Sequence, residues 1–325
     1  MRRLLLLLCA ATACRDAAEA RDLVNRAPQA DQYRAGMSDA GATHVRTIIG
    51  FNDPESVRYD PQQDVFFVSN TAGLGSARDA NGYIVRISAA RMDSADVFVR
   101  SGANGVTLHA PKGLALQGDT LWVTDIDVVR GFNRFTGQPV GTIDFSAFSP
   151  VQLNDIATGP DGMRVTDTGI HMVYEGNVHT GPDKVFAIDA GRRVRVVIQD
   201  SSLHLPNGIT WDDATKRWIV VAFDRHAGEV WVLPSAGDTS RTVLRRGKGQ
   251  LDGVEALPNG KLLFSSWADS AIHVLEGTRD TPIIRQVHEP ADIGVDTRRG
   301  RVLIPLAVIG HVQVWDLGPA WTGRR

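Results

Sequence analysis

Four oxygen-bearing side chains, Glu55, Asn154, Asn207 and Asp252, fill the second position of a recurring short motif, in PESV, LNDI, PNGI and LDGV. Two carboxylates and two carboxamides from distant parts of a chain form the donor set of a hard cation. Ca2+ takes carboxylate and carbonyl oxygens together with water, and Mg2+ or Mn2+ uses similar groups. Cysteine is missing from the set and histidine is scarce near it, which argues against a zinc cage of the structural kind. The competing account is that Asp and Asn recur because they shape turns and tolerate the left-handed backbone region. It serves any single position well, but four oxygen donors in matching register favour a shared site. The motif occurs twice more, with Lys112 in PKGL and Ala291 in PADI. A cation at Lys112 would repel a metal at contact distance but could pair with an acidic substrate group; a solvated rim lysine is the alternative.

The elements that must position these residues are legible around each motif. Every copy opens the same plan of alternating apolar strand, polar turn and second strand, as in PESVRYDPQQDVFFVSN and LDGVEALPNGKLLFSSWAD. The turns DPQQD, QGD, GPDG, DDATKR, LPNG and DTRRG carry the residues tight hairpins need. The second positions lie 39 to 57 residues apart, near the length of one four-stranded propeller blade. Room for two further strands follows each pair, as in YIVRIS (83–88) with DVFVR (96–100) and KVFAID (184–189) with RVRVVI (193–198). The expected fold is all-β, a six-bladed β-propeller of four-stranded antiparallel blades over residues 45–318, closed around a central channel. Inner strands that begin at one rim would set all six second positions facing one another. The second strand returns to that rim and should bring Asn70, Asp125, Asp167 and Asp224 close, with Asp269 as a further candidate. Trp122, Trp218, Trp231 and Trp315 sit in apolar strands and read as core between blades.

On the early P-E with Glu55, the LNDIATGPDG segment with Asn154, the PNGI segment with Asn207 and LDGVEALPNGKLLF with Asp252, residues 50–317 resemble the senescence marker protein, gluconolactonase and luciferin-regenerating enzyme family of six-bladed propellers. The resemblance implies a divalent cation, Ca2+ first with Mg2+, Mn2+ or Zn2+ as alternatives, held by Glu55, Asn207 and Asp252. Asn154 either joins them or orients water and substrate. The implied chemistry is hydrolysis of a lactone or related cyclic ester, with Asp252 as preferred general base and Asp155 or Asp167 as substitutes. Sugar lactonases of the family have an arginine two residues before the ND asparagine to help hold substrate. Here Gln152 stands there, so the resemblance does not carry sugar-lactone specificity. His109 and His204, each two residues before the proline that opens the motif, in LHAPKG and LHLPNG, could line the pocket, although a packed or solvent-facing histidine is the commoner outcome. The other functional class is a noncatalytic propeller of the NHL-repeat or strictosidine-synthase-like type that binds a ligand or protein partner.

Composition removes several classes. The chain has 325 residues, 43% hydrophobic and 22% charged, with net charge −2, and no basic block that would grip nucleic acid. The stretch MRRLLLLLCAATAC has the basic, apolar and small-residue order of an export signal over residues 1–14 and is too short to span a membrane. ATAC resembles a lipobox, with Ala11 where leucine is usual, so Cys14 is a lipidation candidate beside the plainer reading of an ordinary signal. The expectation is a bacterial protein of the periplasm, or a lipoprotein whose membrane contact is only a lipid at Cys14. Cys9 leaves with the signal, and no disulfide framework remains. Residues 15–44 read as a tether or lead-in, residues 319–325 as a tail, and a monomer is expected. The loop GLGSARDANG (73–82) lacks a nucleotide-binding pattern and reads as a hairpin or lid beside the channel mouth. No serine nucleophile elbow or metalloprotease helix is present.

Overall fold

Short apolar alternations bounded by Gly, Asp, Asn and Pro turns become strands in the computed structural model, which describes residues 35–93, 95–173, 176–233 and 240–322. The export signal, Cys9 and Cys14 lie outside the described residues. The chain opens with β1 (Thr43–Ile49) and then builds blade one from β2 (Pro54–Asp60), β3 (Val65–Asn70), β4 (Tyr83–Ser88) and β5 (Ala95–Arg100). Blade two is β6 (Pro111–Gln117), β7 (Thr120–Asp125), β8 (Val128–Asn133) and β9 (Pro139–Asp144). In blade three, β10 (Leu153–Gly159) and β11 (Gly162–Asp167) are followed by an inserted hairpin, β12 (Ile170–Val173) and β13 (Gly176–His179), before β14 (Lys184–Ile188) and β15 (Val194–Gln199) complete the sheet. Blade four is β16 (Pro206–Asp212), β17 (Arg217–Ala222), β18 (Val230–Val232) and β19 (Thr242–Arg245). Blade five is β20 (Leu251–Ala256), β21 (Leu262–Ser266), β22 (Ala271–Glu276) and β23 (Arg279–Arg285). All these sheets are antiparallel, and the fold is the expected six-bladed propeller.

Blade six is made from both ends of the chain. β24 (Gly294–Asp296), β25 (Arg301–Leu306) and β26 (His311–Asp316) are completed by β1, which pairs antiparallel with β26 from Thr43↔Asp316 to Ile49↔His311. Pairing the first strand with the last ties the two ends of the chain into one blade and closes the ring, with β1 in place of β26 at the outer edge. The propeller therefore begins before residue 45. Residues ahead of β1 are also engaged, since Met37 and Arg285 exchange backbone hydrogen bonds and the Ser38 hydroxyl donates to the Ile283 carbonyl at 2.6 Å. At the other end α1 (Pro319–Thr322) brings the Trp321 indole to donate to the Ala40 carbonyl at 2.8 Å. No helix among the described residues is long and apolar enough to cross a membrane.

The core lies between blades. Phe67, Ile84 and Val99 of blade one pack on Leu114, Leu121, Val123 and Phe132 of blade two. Trp122 fills the next interface against Ile156, Met163 and Val165, and Trp231 with Trp218 fills the one between blades three and four. Burial of these aromatic rings fixes the angle between neighbouring blades, and so the width of the channel their inner strands surround.

Candidate functional site

The motif is a β-bulge. In five blades the pairing of the first two strands slips at the same place, between Pro54 and Val57, Pro111 and Leu114, Leu153 and Ile156, Pro206 and Ile209, and Leu251 and Val254. The unpaired residues are Glu55, Lys112, Asn154, Asn207 and Asp252, each with its successor. A bulge bends its strand and re-aims a side chain, and here it turns the second position into the channel. Together with Ala291 of blade six these residues line one cavity of about 270 Å³.

Two devices hold the bulges in register. A glycine follows the site residue in blades two, four and five and permits inner strands to touch: a Cβ on Gly113 would lie 2.5 Å from the Asp155 Cα, and one on Gly253 would lie 2.5 Å from the Ile293 nitrogen. The second device is a Ser or Thr near the end of the second strand in blades one, two, three and five. Ser69, Thr166 and Ser265 accept from the bulge amides of Ser56, Asp155 and Gly253. The hydroxyls of Thr124, Thr166 and Ser265 donate across to the carbonyls of Asn154 (2.5 Å), Asn207 (2.6 Å) and Ala291 (2.9 Å) in the following blade. Asn154, Asn207 and Ala291 are thus located by the preceding blade's second strand, a link that the sequence shows only as V-T-D and F-S-S endings.

The electrostatics of the ring are unbalanced. Glu55, Asn154, Asn207 and Asp252 are all at most 8% exposed, and Glu55 Oε2, Asn154 Oδ1, Asn207 Oδ1 and Asp252 Oδ1 have no hydrogen-bond partner. A buried acceptor left unpaired costs about 1–3 kcal/mol, and a charged one more. Burial first, and the charge of Glu55 second, push the Asp252 carboxyl well above the usual carboxylate range against the opposing pull of Lys112. Trp267 stands close enough to favour the carboxylate slightly, without closing a hydrogen bond of normal geometry. Lys112 is buried and donates to Glu55 Oε1 at 2.8 Å, so its ammonium is engaged within the ring and is not free for an acidic substrate group. Among the described residues no three His, Cys, Asp or Glu side chains cluster to hold a metal. The convergent set is instead two acids and two carboxamides, and its four unpaired oxygens fit a hard, oxygen-seeking cation.

Several expected contacts fall elsewhere. Asp155 does not line the cavity; its carboxylate accepts from the Ile209 and Ile156 amides, both at 2.7 Å, and burial, outweighing Arg58, pushes its pKa up to about 7. Asp167 is also turned away, accepting from the Val151, Gln152 and Gly169 amides and from Lys184. Asp125 does the same for the His109 and Ala110 amides, and Asn70 for the Asn52 amide. The second-strand acids thus clamp the turn that leads into the motif, because a carboxylate at a strand end is the nearest acceptor for those amides. His109 Nδ1 accepts from the Ala80 amide and His204 faces Glu229 at 3.6 Å, so neither lines the cavity. Gln152, expected at the substrate, is fully buried and donates to the Gly75 carbonyl at 2.6 Å. It holds down loop 73–82, which is the wall of the site on that side.

Sequence reasoning missed most of the wall. Leu74 from that loop, Ile170 and Met172 from the β12–β13 hairpin, Phe223, Trp267 and Val308 all line the cavity, with Thr71, Thr168, Asn177 and Gln250 as neutral polar groups. Loop and hairpin are joined where the Met172 amide donates to the Ser76 hydroxyl at 2.9 Å. No sequence signal pairs those two segments; only an unusually long interval in blades one and three marks them.

No family profile matches the chain, and no curated protein matches it. Solved structures do. A gluconolactonase from Xanthomonas campestris, described as important in glucose secondary metabolic pathways, superposes with TM-score 0.66 at 14% identity over 87% of this chain and 97% of that one. A structure provisionally named a gluconolactonase gives TM-score 0.65 at 17% identity over 87% and 93%. A chain of a nidogen–laminin complex gives 0.55 at 19% over 70% and 78%. At such identities the likeness is one of fold.

Proposed function

We propose that this propeller is an exported, divalent-cation-dependent hydrolase that opens a lactone or related cyclic ester at the channel mouth. The observation that supports it is the ring of four buried, unpaired oxygens from Glu55, Asn154, Asn207 and Asp252. These residues would hold the cation, Ca2+ being the first choice for such a set. When bound, it would supply Lewis-acid polarisation of an ester carbonyl and a lowered pKa for water. The Asp252 carboxylate, which lines the cavity, accepts the proton of the attacking water as that water's oxygen bonds to the carbonyl carbon. The tetrahedral adduct then expels the ring oxygen, which takes the proton back from Asp252 and leaves a hydroxy acid. Lys112 offsets part of the repulsion between Glu55 and Asp252, and the wall of Leu74, Met172 and Phe223 limits water at the reacting carbon. Residues 1–14 direct export, with Cys14 as the acceptor for a lipid.

Elemental analysis of the purified protein, followed by pH-stat assay of a varied lactone panel with and without chelator, tests the reading. Stoichiometric metal and chelator-sensitive hydrolysis are expected. Metal without hydrolysis of any lactone would instead favour a noncatalytic propeller that binds a ligand or partner, the class to which the likeness with the nidogen–laminin chain lends support. Palmitate labelling that disappears in Cys14→Ala would test the lipid anchor.

A further inference from the structure

The cavity has a polar floor and apolar walls. Above the oxygen ring stand Leu74, Ile170, Met172, Phe223, Trp267 and Val308. Phe223 and Trp267 meet edge to face, with ring centroids 5.3 Å apart, and make a stiff aromatic corner. Val308 is 67% exposed and its neighbour Ile309 46%, so the apolar surface continues outward over the lip. Lys112 is engaged by Glu55 and the Gln152 amide by the Gly75 carbonyl, which leaves Asp53 as the acid, and Thr71, Thr168, Asn177 and Gln250 as the neutral polar groups, among a mainly apolar wall. A sugar lactone brings several hydroxyls, each of which loses water on entering and must find a partner. An alkyl or aryl group asks for none and takes apolar wall out of water.

We propose that the substrate is a lactone carrying an apolar alkyl or aryl substituent, seated with its carbonyl on the oxygen floor and its substituent against Met172, Phe223, Trp267 and Val308, in preference to polyhydroxylated sugar lactones. This rests on the hydrolase reading above. A cavity of about 270 Å³ lies at the small end of ligand sites and suits one ring with a short substituent.

The test uses the full chain supplied with Ca2+. Hydrolysis of γ-nonalactone and dihydrocoumarin is compared with that of γ-butyrolactone and glucono-δ-lactone. In parallel, tryptophan fluorescence reads binding of the non-hydrolysable 5-pentyl-2-pyrrolidinone against 2-pyrrolidinone. The substituted lactones are expected to have kcat/KM at least about tenfold higher, and the pentyl lactam to bind at least about tenfold tighter. Val308→Asn and Met172→Gln, checked for folding by their melting curves, should each draw both ratios toward one. Gluconolactone turned over as well as γ-nonalactone, or lactams bound alike, would overturn the substrate class and leave the hydrolase reading standing. Preferential lactam binding with no lactone hydrolysed would overturn the hydrolase reading and keep the apolar ligand class. Neither binding nor turnover would overturn both.

Discussion

Lys112 and Glu55 form a buried ion pair beside the unpaired acceptors of Asn154, Asn207 and Asp252, and this is where single substitutions should speak most clearly. Lys112→Met removes the charge that opposes a cation, so Ca2+ binding measured by calorimetry should tighten. The cation-free protein should lose about 3 kcal/mol, because Glu55 is left buried without its partner, and added Ca2+ should restore the loss. Asp252→Asn is expected to weaken Ca2+ binding and to abolish lactone turnover; unchanged values of both would remove Asp252 from the site. These positions were legible in the sequence because the motif repeats and its chemistry does not vary at random. The roles of Asp155 and Asp167 were not legible. An acid next to a site residue looks the same whether it faces the channel or its neighbour's amides, and only the bulge decides which.

Within single blades, the elements carry their own locks. The glycines after the site residues are one: Gly253→Ala would press a Cβ on the blade-six backbone and should cost about 1–3 kcal/mol in urea unfolding, more than the same change at the open Gly277, apart from the strain its φ of +62° imposes there. Blade five holds another, where His273 lies between Asp280 (2.7 Å) and Asp269 (3.3 Å) and stacks on Phe264. Burial pulls the imidazole pKa down, but hydrogen bonds to Asp269 and Asp280 and their charges more than offset it, so the net shift is upward. Burial raises Asp269, and His273 with Ser266 outweighs it to hold the carboxyl at about 2. A raised folded-state pKa gives stability that is complete below the unfolded histidine value of 6.5 and lost as pH rises through the folded value. A depressed carboxylate gives stability complete above 3.8 and lost as pH falls toward about 2. His273→Gln should therefore cost about 2 kcal/mol near pH 5–6 and progressively less at higher pH, as read from denaturation midpoints across that range.

For the molecule as a whole, β1 is the closure. A chain truncated to begin at Asn52 lacks the outer strand of blade six and leaves β26 with an open edge. It is expected to lose its cooperative melting transition and to aggregate, as followed by calorimetry and light scattering. Retention of the full-length transition would show that closure is dispensable. The expected start at residue 45 falls inside β1 (Thr43–Ile49), but the sequence does not show which blade that strand joins. An outer strand repeats neither the bulge nor the glycine, so nothing local ties it to β26 at the far end of the chain.

From the residues alone came the number of blades, their strand plan and the six positions that meet at the channel. Those follow from period-two alternation and turn chemistry, which are local and recur with each blade. Tertiary structure alone decided that Lys112 is held by Glu55, that Gln152 pins loop 73–82, and that the β12–β13 hairpin and this loop build an apolar wall over the oxygen ring. Such contacts join blades whose residues are remote in sequence, and they depend on the angles at which buried rings let neighbouring blades pack.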